Sequence, residues 1–243
     1  MVNNKNQKTA LEWADNRNLV VGDATGTLVV WRFYTKNNTR FVEGNPFVYL
    51  TDSDITTMDW VLDSPTLVVG TFAGRILLFR DGELIKEFKE SSPIVKIQTA
   101  PDQMHVAVVC RDVSVLVMAN NDILVRVKVD GEPIDGSWIS PSNYAVSADG
   151  KLMKVCLDGT VETLFESSGK IVNVVSINER LMCGDLSSTR VVFDPSEQQP
   201  QTTQTSKLGI SSVSSINKGK TAATGLIDGT VMIDDDKQDI HKM

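Results

Sequence analysis

Histidine and cysteine are scarce in this chain, which has two of the first and three of the second in 243 residues. A Ser-His-Asp or Cys-His centre needs a base beside its nucleophile. His105 begins a strand after the turn PDQM, and His241 sits in a charged tail, so both read as turn-exposed imidazoles without a role. Zinc sites want Cys and His at short spacing; the nearest cysteines, Cys156 and Cys183, are 27 residues apart. No glycine loop of the phosphate-binding kind precedes a helical pattern. No catalytic, cofactor or metal residue is therefore expected, and the chain is not expected to be an enzyme. Cys110, Cys156 and Cys183 all fall in strand-like segments. An odd number of such thiols fits small core residues in a reducing compartment better than a disulfide framework.

Long hydrophobic runs are also missing. The longest, such as 28–31 and 106–110, are four or five residues, against the roughly 18 a membrane helix requires. The opening MVNNKNQKTA has no apolar stretch of the secretory type, so a cytoplasmic or nuclear location is expected. Positive charge is in deficit, with 24 basic against 31 acidic residues and a net charge of −7. Without a basic cluster, nucleic acid and anionic membrane surfaces are poor partners.

What the chain does have is repetition. Six times an apolar strand enters a turn and leaves as a second apolar strand: NLVVGDATGTLVVW, TLVVGTFAGRILLF, HVAVVCRDVSVLVM, YAVSADGKLMKV, LMCGDLSSTRVVF and AATGLIDGTVMI. Aligned on the last turn residue, the copies sit at Gly26, Gly74, Val113, Gly150, Ser188 and Gly229, with gaps of 48, 39, 37, 38 and 41 residues. A period near 40 built from short alternating strands predicts an all-β fold, a β-propeller of six recognisable four-stranded blades. The blades fall near 9–50, 51–90, 91–130, 131–168, 169–207 and 208–243, in a single domain. A 41% hydrophobic content is enough to build its core.

Each pair follows a less regular first strand, in which Trp13, Trp60 and Trp138 recur 13, 14 and 12 residues before the aligned position. That recurrence points to packing between blades. Outer strands are clearest as ELIKEFK, DILVRVKV and TVETLF, alternating charged and apolar residues. Asp81-Gly82, Asn121-Asp122 and Asp158-Gly159 supply the turns before them.

On these segments the chain resembles the Trp-Asp (WD) repeat β-propeller family. GDATGTLVVW, GTFAGRILLF and GLIDGTVMI are similar to its second-to-third strand pattern, and TTMDWVLDSP to its first strand; together the likeness spans about residues 9 to 234. Two family features are absent: a Gly-His pair before a first strand, and the terminal Trp-Asp pair. The matching positions of the pair read Trp31-Arg32, Phe79-Arg80, Met118-Ala119, Val155-Cys156, Phe193-Asp194 and Asp234-Asp235. Phe79-Arg80-Asp81-Gly82 is similar to the Phe-Arg-Arg-Gly motif of phosphoinositide-binding propellers, but Asp81 replaces the second arginine and leaves a hairpin turn. The resemblance implies a non-enzymatic protein-interaction scaffold or adaptor subunit of an intracellular complex.

Two segments break the rhythm. YTKNNTR replaces or lengthens the outer hairpin of the first blade. PSEQQPQTTQTS in the fifth is polar and reads as a disordered surface loop, leaving a weak outer strand or none. The sixth repeat ends VMIDDDKQDIHKM without a convincing outer strand, and MVNNKNQK is a poor substitute. One of these weak segments is expected to pair nonetheless; the alternative is a structural subunit whose open ring an obligate partner completes by strand addition, or a seventh blade.

Aspartates concentrate in the inner turns: Asp23, Asp112, Asp149, Asp185 and Asp228, with Arg111 among them and Asp54 in the neighbouring loop TDSD. Aspartate is good turn chemistry, because it accepts local backbone hydrogen bonds. The functional expectation is an acidic docking rim for a protein with a basic segment, charge steering the encounter. An alternative from another class is a hydrolase or lyase with carboxylates near the central channel. It expects turn aspartates to converge on a pocket, at least one with a raised pKa.

Overall fold

A computed structural model of the chain describes residues 8–13, 17–37, 39–177, 180–187, 189–194, 201–204, 209–216, 221–235 and 240–242. Every regular element among them is a strand. The first sheet contains β1 (Lys8–Trp13), β2 (Asn18–Asp23), β3 (Thr27–Lys36) and β4 (Thr39–Leu50). The second contains β5 (Ile55–Val61), β6 (Thr66–Thr71), β7 (Arg75–Arg80) and β8 (Glu83–Lys89). The third contains β9 (Ile94–Thr99), β10 (His105–Cys110), β11 (Ser114–Ala119) and β12 (Asp122–Lys128). In the fourth are β13 (Pro133–Ser140), β14 (Asn143–Ala148), β15 (Lys151–Cys156) and β16 (Val161–Glu166). The fifth has β17 (Ile171–Ile177), β18 (Arg180–Asp185), β19 (Thr189–Phe193) and β20 (Gln201–Gln204). The sixth has β21 (Ile210–Ile216), β22 (Thr221–Leu226), β23 (Val231–Asp235) and β24 (Ile240–Lys242). In every sheet the four strands are consecutive in the chain.

The strands group into two compact units, one holding the described residues up to 112 with 116–123, the other 113–115 and those from 124 onward. In the first unit, Val20, Leu28, Ile55, Leu67, Val69 and Leu77 form one core cluster, and Val68, Ile76, Leu78, Ile94, Val108 and Leu116 another. In the second unit, Leu152, Ile171, Leu181 and Val191 belong to one cluster and Ile210, Val213 and Met232 to another. Each cluster joins neighbouring sheets. That explains why β6 is buried along its whole length, whereas β12 alternates exposed and half-buried residues.

Glycine on the second strand has a packing reason. A Cβ on Gly22, Gly70 or Gly184 would lie 2.5–2.6 Å from Cγ2 of Ile55, Ile94 or Ile210, the isoleucine opening the next sheet's first strand. First strands are also tied sheet to sheet by side chains that accept backbone N–H groups. Thr57 Oγ1 accepts from Ile97 N (3.1 Å) and Asp59 Oδ2 from Thr99 N (2.6 Å). In the second unit, Asp135 Oδ2 accepts from Val174 N (3.0 Å), Ser137 Oγ from Ser176 N (3.1 Å) and Asn173 Oδ1 from Val213 N (2.7 Å). These contacts satisfy edge N–H groups that would otherwise have only water.

The structure corrects several expectations. The fifth sheet has an outer strand: β20 pairs with β19 from Val192↔Gln201 to Thr189↔Gln204, inside the segment read as a loop. The rest of 195–206, like Ser188, lies outside the described residues. The sixth sheet likewise has a fourth strand, β24, pairing Met232↔Lys242, Ile233↔His241 and Asp234↔Ile240, so the weak C-terminal segment does pair, as the simpler expectation had it. Trp13 is 52% exposed and leans on Phe33 at 5.4 Å, so it does not share the burial of Trp138, which is 3% exposed. His105 is half-buried and engaged, its Nδ1 lying 2.7 Å from Asp102 Oδ2. The third hairpin turns at Asn120-Asn121, with φ of 52° and 62°, one residue earlier than the sequence suggested. As expected, the first hairpin is extended, with β3 and β4 paired out to Lys36↔Thr39.

Candidate functional site

The turns between second and third strands are built from one set of parts. In the first, Asp23 Oδ1 accepts from Thr25 N (2.9 Å), Thr25 Oγ1 (2.6 Å) and Thr27 N (3.0 Å). Gly26 takes φ 77°, and its carbonyl accepts from Thr51 N at 2.8 Å. Gly74 and Val113 repeat that bond with Glu90 N and Val129 N, both at 2.8 Å. A further bond docks the turn on the loop leading into a first strand. Phe72 N donates to Asp54 O (2.8 Å) and Arg111 N to Pro93 O (2.9 Å). In the second unit, Leu186 N donates to Lys170 O and Ile227 N to Gly209 O, both at 3.0 Å.

The consequence is a turn whose backbone is held on both sides while its tip side chain points to water. In the first unit that tip is Phe72, 54% exposed, and the exposed Arg111. In the second unit it is Leu186 at 48% and Ile227 at 60% exposure. These apolar tips were not singled out from sequence. The signal was available, since an apolar residue in a turn pinned by its neighbours cannot bury itself.

The acidic residues divide by burial. Asp23 and Asp185 are each 1% exposed. Burial acts to raise Asp185, but bonds from Ser167, Thr189 and Ser187 outweigh it and hold the carboxyl below its usual range. These two carboxylates build their turns and present little to a partner. Asp54, Asp149 and Asp228 are exposed and Asp112 is half-buried. Asp112 Oδ2 accepts from Ser91 Oγ (2.8 Å) and its N–H donates to Ser92 Oγ (3.0 Å), which ties it to the loop beside Arg111. Asp149, at φ 43°, accepts from Glu132 N (2.8 Å), and Asp228 from Thr230 N (2.9 Å).

Arg75 braces the same side of the second sheet. It donates to Glu87 through Nε (2.6 Å) and Nη2 (2.8 Å), and to Asp52 through Nη1 (2.7 Å). This fork pulls both carboxyls below their usual range and fixes the loop that carries Asp54. Phe72, Asp54 and the Asp52–Arg75 pair thus form one ordered patch of an apolar tip ringed by charge.

The carboxylates pushed upward lie elsewhere. Burial, with the Asp59 charge adding to it, raises Glu12 to about 7, and burial also raises Asp59. With Thr57, Lys96 and Gln98 they line an open recess of about 460 Å³ formed by β1, β5 and β9. Asp59 is engaged in structure there, accepting from Trp60 N (2.7 Å) as well as Thr99 N. The raised groups are therefore first-strand residues, not the turn aspartates that a hydrolase was expected to use. Among the described residues no three His, Cys, Asp or Glu side chains are grouped to hold a metal ion. No helix there is long and apolar enough to cross a membrane.

No family model matches the chain, and no curated protein matches it in sequence. Solved structures match in fold. The chain is similar to Sqt1 of Chaetomium thermophilum bound to the N-terminus of ribosomal protein L10, with 18% identity and a TM-score of 0.79, covering 93% of this chain and 71% of that one. The WD40 β-propeller domain of Doa1 aligns at 11% identity and a TM-score of 0.77, over 98% of this chain and 83% of that domain. The WD40 repeats of RRP9 align at 14% identity and a TM-score of 0.78, over 98% and 80%.

Proposed function

We propose that this chain, which has the fold of the WD40 β-propellers, is a non-enzymatic scaffold or adaptor subunit of an intracellular protein complex. It binds partners through the turns joining second and third strands. The observation that carries the proposal is the exposed tip on a braced turn. Phe72 stands in water on a backbone held by Asp54 O, Ser53 Oγ and the Thr71–Gly74 turn. A large apolar side chain kept rigid and wet has nothing to gain within the chain. Pre-organisation lowers the entropy a partner must remove, which suits a binding anchor.

The acidic rim is part of the proposal in narrowed form. Asp54 and Asp112 in the first unit, and Asp149 and Asp228 in the second, are the carboxylates open to a basic segment, with Arg111 among the contacts. Asp23 and Asp185 belong to the turn framework. The grip of a WD40-fold neighbour on the N-terminus of a ribosomal protein supports a protein segment as the kind of partner. An obligate partner completing a blade has less support, since each sheet has four strands of its own.

The test is capture by the tagged chain at low and high salt, comparing wild type with Phe72→Ala and with Asp54→Lys/Asp112→Lys. Loss of the same partner in both variants, with salt sensitivity reduced in the second, is expected. Retention of every partner by both variants refutes the turn-side site.

A further inference from the structure

At the other end of the same strands, the second and third sheets enclose a socket of about 290 Å³. Leu78, Val106 and Met118 form its apolar floor, and Arg80, Gln103 and Met104 stand around it. Its rim is ordered. Gln103 Oε1 accepts from Leu62 N at 2.8 Å, which ties the β9–β10 turn to the end of β5. Gln103, Asn120 and Asn121 all take left-handed φ, at 57°, 52° and 62°. Asn120-Asn121 are the usual left-handed pair of a tight hairpin, so of the three only Gln103 departs from ordinary turn chemistry.

Arg80 is the chemically unfinished part. The half-buried guanidinium makes one hydrogen bond, from Nη2 to Thr66 Oγ1 at 3.1 Å. Thr66 gives its own proton to Ser64 O (2.7 Å), so its oxygen can only accept from the arginine. Arg80 Nε is shut away from solvent without an acceptor. No carboxylate among the described residues stands within ion-pair distance of it, although Glu83 is its cross-strand neighbour. Arginine is built to hold carboxylates, and Nη1, which makes no hydrogen bond among the described residues and is not shut away as Nε is, is the donor that a carboxylate entering the socket would meet.

The geometry points to a second protein-docking site here, a socket that takes an acidic side chain of a partner segment together with an adjacent apolar residue. The acid would complete Arg80, and the apolar neighbour would cover the floor and Met104, which is 63% exposed. A polyanion fits poorly, because a single arginine beside Asp63 on a chain of net charge −7 offers no track for successive phosphates. The socket is separate from the turn side and prefers a partner of opposite charge to the one expected there.

The experiment is selection of a displayed random 12-residue peptide library on the full-length chain. Binding of the enriched peptides, made synthetically, is then measured to wild type, Arg80→Gln, Met104→Glu and Phe72→Ala. The expected result is enrichment of Asp or Glu next to Leu, Ile or Met. Binding should weaken about tenfold or more in R80Q, the scale of one lost charge-assisted hydrogen bond. It should weaken similarly in M104E, whose exposed position leaves the fold untouched, and stay unchanged in F72A. Failure to enrich acidic peptides overturns the proposal. So does acidic-peptide binding that survives R80Q and M104E, or that is lost only in F72A.

Discussion

Three residues at one position of the repeat should respond to substitution in three different ways. Gly74 has φ 80°, and a Cβ there would lie 2.5 Å from Ser92 O and 2.6 Å from Glu90 O. Gly229 has φ 86°, but a Cβ would meet nothing within 4 Å among the described residues. Val113 already occupies the left-handed region at φ 66°. For Gly229→Ala only the backbone term applies. A left-handed non-glycine residue costs roughly 1–2 kcal/mol, and a stiffer unfolded chain returns part of it, so the net loss is about 1 kcal/mol. Gly74→Ala carries the same term plus collision with two carbonyls that cannot rotate away. Relieving it means moving the backbone that holds the Glu90 N to Gly74 O bond of 2.8 Å, for a total of about 3 kcal/mol or more. Val113→Gly reverses the strain of a β-branched residue and should gain about 1 kcal/mol after the entropy cost of glycine. Urea denaturation monitored by tryptophan fluorescence, compared at common m-value, gives the three shifts. Equal losses for G74A and G229A would refute the carbonyl collision at Gly74, and a destabilised V113G would refute the strain assigned to Val113.

Two further predictions concern the first strands. Glu12 has a folded pKa above its ordinary value, so the folded state holds a proton that the unfolded state releases; stability falls as pH rises from about 4.5 to about 7. Glu12→Gln should remove up to about 2 kcal/mol of that decline, discounted for the side chain's partial exposure, and a parallel pH profile in the variant would refute the burial of this carboxyl. Asp59→Ala should cost about 1–3 kcal/mol at pH 5 by leaving Thr99 N and Trp60 N without their acceptor, read as faster hydrogen exchange at Thr99; protection equal to wild type would refute the cross-sheet tie.

The strand pattern was legible because its physical origin is local. A residue in a strand faces one side or the other, and a sheet packed on both sides needs apolar residues at nearly every position of its middle strands. TLVVGT and RILLF state this without help from the rest of the chain. Pairing of β20 was not legible, since QTTQ lacks the alternation of charged and apolar residues that marks outer strands such as ELIKEFK. Burial of Asp23 and Asp185 left a signal in the alignment: both lie three residues before the aligned position, at the end of a second strand, whereas Asp112, Asp149 and Asp228 lie one residue before it, in the turn itself.

The amino-acid sequence by itself determined the repeat, the first three strands of each sheet and, to within a residue, the positions of the turns. It did so because alternation, glycine and turn chemistry act over a few residues. Only the tertiary structure decided which turn side chains stand in water, which first strands are tied sheet to sheet through residues such as Asp59, and where Arg80 is left with Thr66 and no acid. Those outcomes depend on residues about 14 to 40 positions away that pack beside them, and such distances leave no mark in a local pattern.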